Sequence, residues 1–145
     1  MSTNPTFAIV LAAGNGTRMV SKKPKVLHNL AGRPMLLHLL ETLAEISPTE
    51  TVVVVGPEMN EINTMVADQF PATKFAVQQE RLGTGHAAMT AINATESKMP
   101  TSGTVLILFG DTPLLTEETM LALLQARDNK DNSDVVVLGF RTTNP

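Results

Sequence analysis

A chain of 145 residues that is 43% hydrophobic and 17% charged has the apolar content for one buried core and is not a disordered polymer. Its formal net charge of −3 gives no global basic field for nucleic acid or an anionic membrane, so any anion site must be local. The lack of cysteine excludes disulfides and thiolate metal sites and suits a reducing, cytoplasmic setting. No signal peptide opens the chain, and no apolar run approaches the ~18 residues of a membrane span.

The elements alternate along the chain. Residues 7–12 (FAIVLA) are continuously apolar and predict a buried strand. A glycine-rich loop follows, and then a helix over 34–46 with Leu36, Leu37, Leu39, Leu40 and Leu43 at helical spacing and Pro34 in its first turn. Residues 51–55 (TVVVV) predict a second strand, closed by Gly56-Pro57, and 58–69 a weaker amphipathic helix. A short strand at 75–77 leads to a helix over 84–97 whose Ala87, Ala88, Ala91 and Ala94 suit close packing. A strand at 104–109 (TVLILF), a helix at 117–127 and a last strand at 134–139 (DVVVLG) complete the chain, giving five strands in all. Such alternation predicts an α/β domain with a doubly wound, mostly parallel sheet covered on both faces. Ligands of such sheets sit beyond the carboxyl ends of the strands, near the point where strand order reverses. The loops after residues 12, 77 and 109 should then share one rim.

Those three loops hold nearly all the unusual polar chemistry. In the first, "LAAGNGTRMVSKKPKVLH", Gly14 and Gly16 allow backbone N–H groups to approach a phosphate. The dinucleotide fingerprint fails because Met19 stands where a third glycine or alanine is needed, and no Gly-Lys-Ser/Thr ending of a P-loop is present. Instead Arg18 offers a bidentate clamp and Lys25 a point charge on a longer tether, with Pro24 holding Lys23 toward an extended conformation. The competing explanation is a glycine turn with solvated cations. In the second loop, "QQERLGTGHAAM", the Gln78 amide offers a donor and an acceptor to the imide edge of a pyrimidine. Gly83 and Gly85 free the backbone, and Thr84 is placed to cap the next helix; an ordinary helix cap explains the stretch equally well. His86 belongs with packed residues on this reading, and His28 and His38 carry even less signal. In the third, "FGDTPLL", Asp111 follows a strand directly and suits a hard cation bridging phosphates, against the alternative of a common Asp-Thr-Pro turn. Glu117 and Glu118 are read as first-turn acids of a helix, and Met99 and Met120 as core filler.

Together, "LAAGNGTRM…KKPKVLHNLAGRPML", "QQERLGTGHA" and "FGDTPL" resemble the N-terminal pyrophosphorylase domain of the bacterial bifunctional N-acetylglucosamine-1-phosphate uridyltransferase/glucosamine-1-phosphate acetyltransferases, within the wider sugar nucleotidyltransferases. The likeness runs the length of the chain. It implies a Rossmann-like sheet of the nucleotide-diphospho-sugar transferase type, with residues 1–145 as the nucleotide-binding portion, stopping before the sugar-binding half and the β-helix acetyltransferase domain. It assigns the nucleotide loop to Leu11, Ala12, Ala13, Gly14, Gly16, Thr17 and Arg18, and catalytic charge to Arg18 and Lys25. Gln78, Gly83 and Thr84 take the uracil, while Asp111, preceded by the substrate-contacting Gly110, takes Mg²⁺. Arg81 stands where many members carry glutamine, and Phe109 where tyrosine is frequent, which puts those two contacts in doubt. The implied reaction is uridyl transfer from UTP to N-acetylglucosamine 1-phosphate with release of pyrophosphate. The implied setting is a cytoplasmic homotrimer serving cell-wall precursor synthesis, with no nucleic-acid or membrane partner. By itself a chain of this extent is expected to be inactive. A cytidylyl or guanylyl donor, or a catalytically silent nucleotide-binding module, are the alternatives.

Overall fold

The structure, a computed structural model, describes residues 4–14, 16, 21, 23–95, 102–128, 133–139 and 141. Its centre is a four-stranded sheet of β1 (Thr6–Leu11), β4 (Glu50–Val55), β5 (Lys74–Val77) and β6 (Thr104–Phe109). The order across the sheet is β5-β4-β1-β6, and every pairing is parallel. Register runs evenly through the centre, with Ile9 opposite Val52 on one side and Ile107 on the other. Unbroken Val/Ile/Leu runs suit this position because β1 and β4 bury both faces. The chain steps outward from β1 to β4 to β5, then returns to the far side of β1 for β6. Strand order therefore reverses between β1 and β6, and that is where a crevice opens at the carboxyl ends.

Helices cover the two faces unequally. On one face α1 (Met35–Glu45) and α2 (Asn60–Gln69) pack Leu36, Leu39, Leu43, Ile62 and Val66 against Ala8, Val10, Val53 and Val55. The helix α4 (Glu117–Asp128) adds Met120, fully buried beside Leu106 and Leu108. On the other face, among the described residues, α3 (Thr84–Ala94) is the helix that meets Ile9, Val52, Val54 and Ala76, through Ala87 and Ala91. Small side chains let this helix lie close to the sheet. Glu117 and Glu118 do stand in the first turn of α4, where the helix dipole favours them.

Several expectations change. The sheet is not covered throughout: β6 alternates, burying Leu106 and Leu108 while leaving Val105, Ile107 and Phe109 about half exposed. Residues 134–139 form no strand. No β partner reaches them among the described residues, and Val135, Val137 and Leu138 stand exposed; an apolar run is not a strand without a ladder to join. Two short strands were not expected, β2 (Asn29–Leu30) and β3 (Arg33–Pro34), which pair antiparallel. Their connection places Ala31 at φ 49° and Gly32 at φ 82°, the double positive-φ turn of a two-residue hairpin. Pro34 consequently precedes α1 as its cap residue rather than sitting in the first turn. The helix begun at Thr84 ends at Ala94, short of the expected 97, because Thr95 takes extended backbone as its C-cap; Met99 lies outside the described residues.

Candidate active site

The three polar loops meet at one rim, at the carboxyl ends of β1, β5 and β6. The backbone holds them there by extending the sheet ladder past the strands. The Ala12 amide donates to the Val54 carbonyl at 2.8 Å, Gln78 to Val55 at 2.8 Å, and Gly110 to Leu11 at 2.9 Å. Gly110 is tightly seated, because a Cβ there would stand 3.1 Å from the Leu11 carbonyl oxygen and 3.1 Å from Val26. Between the loops lies a cleft of about 430 Å³.

Of the sequence-derived candidates, Leu11, Ala12, Ala13, Gly14, Gly16, Lys25, Gln78, Gly83, Thr84 and Asp111 all line this cleft. Gly110 stands behind the lining and fixes the approach to Asp111. Thr17 and Arg18 lie outside the described residues. Val26 and Ala87 also line the cleft and were not foreseen; they are apolar members of a short 3₁₀ turn and of α3, with nothing in their type to mark them.

Lys25 opens that 3₁₀ turn (Lys25–Leu27), whose Val26 and Leu27 are buried and so anchor the lysine's backbone. Its Nζ lies 2.6 Å from Asp111 Oδ2, joining the first and third loops across 86 positions of sequence. The tether is therefore not free to wander. Both side chains stay partly open to solvent, at 42% and 32% exposed, so the pair is an available resource for a ligand and not a buried structural clamp. Gly16, at φ +59°, brings the glycine loop against this turn: a Cβ on it would fall 2.9 Å from Lys25 Cβ.

Gln78 is buried, and its amide is already engaged. Its Nε2 lies 3.2 Å from the Gly83 carbonyl oxygen and 2.9 Å from His86 Nδ1. The expectation that Gln78 offers both a donor and an acceptor to a base therefore fails on the donor side, since an amide nitrogen has only two hydrogens. Thr84 does not cap α3 either. Gly83, at φ +100°, is the cap residue, and no side chain bonds to the helix end. Arg81, expected only as a lost contact, has a place of its own. Its Nε donates to the Ala13 carbonyl at 3.0 Å, and its guanidinium lies against Gly56, tying the second loop to the end of β1 and adding a cation to the lining. Phe109 lines the cleft with its ring half exposed.

Among the described residues, the cleft thus combines glycine-rich backbone, two cations (Lys25 and Arg81) and one carboxylate (Asp111). No group of three or more His, Cys, Asp or Glu gathers for a metal among the described residues. A lone carboxylate suits Mg²⁺, which keeps several waters and takes its remaining ligands from substrate phosphates, and does not suit a zinc site with three or four protein ligands.

The chain is 50% identical over 140 residues to the bifunctional protein GlmU of Rhodospirillum rubrum, covering 97% of this chain and 30% of that one. It is 48% identical over 145 residues to the protein of the same name from Paramagnetospirillum magneticum, covering 100% and 31%. It therefore spans about three tenths of the length of these relatives. The fold is also that of 4-diphosphocytidyl-2C-methyl-D-erythritol synthase from Anaerococcus prevotii, at TM-score 0.67 and 21% identity over 88% of this chain and 52% of that one. A Mycobacterium tuberculosis protein solved as a manganese complex superposes at TM-score 0.62 and 16% identity, over 84% and 59%. Residues 8–144 match the model of the MobA-like NTP transferase domain, and the chain belongs to that family.

Proposed function

We propose that this chain is the nucleotide-binding portion of a uridyltransferase that moves UMP from UTP to N-acetylglucosamine 1-phosphate, releasing pyrophosphate. The observation that carries the proposal is the convergence of three sequence-distant loops on one cleft at the strand-order reversal, with Lys25 and Asp111 2.6 Å apart inside it. The identity of about half with the GlmU relatives supports the choice of donor and acceptor.

On this reading the glycine backbone at Gly14 and Gly16 admits the triphosphate, and Gln78, Gly83 and Thr84 border the uracil. A phosphate oxygen of the sugar phosphate attacks the α-phosphorus in line, and the pyrophosphate oxygen leaves with the bond's electron pair. No covalent enzyme intermediate is required, so the protein's work is positioning and charge neutralisation. Lys25 moves its charge from Asp111 to the reacting phosphates. Arg18 takes a second share by the likeness of its loop. Asp111 would hold Mg²⁺, whose contribution is to neutralise phosphate oxygens. The cytoplasmic setting and trimeric assembly belong to the same proposal at the level of the longer protein.

Thermal unfolding of the chain with Mg²⁺ and UTP, CTP or GTP tests it. The reading requires stabilisation by UTP that exceeds that by CTP and GTP at equal concentration. Equal protection by all three would remove the uridyl assignment and leave a generic triphosphate cleft.

A further inference from the structure

Gln78 is held from behind by a residue that does not reach the cleft. The Gly83 carbonyl accepts the first hydrogen bond of α3, from the Ala87 amide at 3.1 Å, so its direction is fixed by the helix. Gln78 points the same amide nitrogen at this oxygen, 3.2 Å away, and at His86 Nδ1, 2.9 Å away. A carbonyl oxygen can only accept. The group facing it must be the NH₂ end of Gln78, and turning the amide over would set oxygen against oxygen. With one hydrogen committed to Gly83, the other meets Nδ1, which must then be the unprotonated nitrogen of a ring that carries its proton on Nε2. Oε1 is left over, and no donor among the described residues engages it. Gln78 lines the cleft, while His86, partly buried on the third position of α3, stands outside the lining.

We propose that His86 is a positioning residue that, together with the Gly83 carbonyl, locks the Gln78 amide with its carbonyl oxygen toward the base, so that the cleft selects a pyrimidine whose ring N3 carries a hydrogen. Uracil presents N3–H and is accepted. Cytosine presents a bare N3 lone pair, which faces a second lone pair and is rejected. The inference rests on the uridine reading given above for its ligand, but not for its geometry.

The side chain at 86 can be changed without entering the cleft. Asparagine places its Oδ1 where Nδ1 stands and keeps the acceptor; leucine removes it. Two measurements on the chain separate the parts of the proposal. First, ¹⁵N–¹H correlation of the imidazoles, with no nucleotide present, should give His86 as the Nε2–H tautomer. A proton on Nδ1 would overturn the geometry. Second, the ratio of CTP to UTP dissociation constants should fall about fivefold in His86→Leu, the scale of one neutral hydrogen bond, and stay near the parent value in His86→Asn. An unchanged ratio in His86→Leu, with the expected tautomer, overturns the selectivity role. A parent chain that does not prefer UTP overturns the uridine reading and the selectivity role together, while the imidazole spectrum still reports on the lock itself.

Discussion

Replacing Gly16 with alanine should cost the fold about 2 kcal/mol, and replacing Gly14 almost nothing. The two glycines sit in the same loop and are indistinguishable by motif, but their surroundings differ. Gly16 holds φ +59°, a conformation that costs an alanine about 1–2 kcal/mol. Its added methyl would stand 2.9 Å from Lys25 Cβ, an atom fixed to a backbone anchored by buried Val26 and Leu27, so it cannot swing aside as a chain end does. Overpacking of this kind adds about 1–3 kcal/mol, offset by about 0.4–1 kcal/mol from the stiffer unfolded chain. At about 3–4 °C per kcal/mol for a domain of this size, Gly16→Ala should melt about 6–8 °C below the parent. At Gly14 a methyl group would meet no heavy atom within 4 Å and φ is not positive, so Gly14→Ala should melt within about 2 °C of the parent. The assay is thermal unfolding without nucleotide, followed by circular dichroism. Equal melting temperatures for the two variants would refute the account of how this loop is seated against Lys25.

Three further outcomes follow from the same geometry. Asp111→Asn should leave the melting temperature within about 3 °C but remove the Mg²⁺ dependence of UTP stabilisation; a variant whose UTP protection still grew with Mg²⁺ would place the metal elsewhere. Lys25→Met should weaken UTP binding about tenfold, the scale of one charge-assisted contact, with little effect on folding because the ion pair it breaks is partly solvated; isothermal titration and a melting curve check the two halves. Ala91→Leu should destabilise the chain by about 1–3 kcal/mol, since Ala91 is fully buried where α3 lies against the sheet, and denaturant unfolding would measure it; a neutral result would mean that the interface has room to spare.

Much of this was legible from residue order. Continuous Val/Ile/Leu runs separated by helical periodicity led to the parallel sheet, and a parallel sheet puts every strand's carboxyl end on one side. Loops distant in sequence then had to meet, and Gly14, Lys25, Gln78 and Asp111 did. What stayed hidden depended on partners. The hairpin at residues 29–34 is too short for any period to register, and its turn asks an alanine to take φ 49° against its own preference. The apolar run at 134–139 has strand composition but no ladder among the described residues, and strand propensity is realised only by pairing. The Arg81 bond to Ala13 and the His86 bond to Gln78 are single contacts that no spacing rule encodes. His86 in particular reads as an ordinary packed residue, since a ring that shapes a site from outside it leaves no mark in the motif.

On the proposed reading, a uridine triphosphate occupies the cleft at the ends of β1, β5 and β6. Titrating the ¹⁵N-labelled chain with UTP and Mg²⁺, and following its backbone amides by NMR, tests that most directly. The account predicts that the shifts concentrate at residues 11–16, at Lys25, at residues 78–84 and at Gly110 and Asp111, with those of the outer face of α2 and the end of α4 unmoved. Shifts centred on α4 and residues 133–139, or none at saturating UTP, would contradict it.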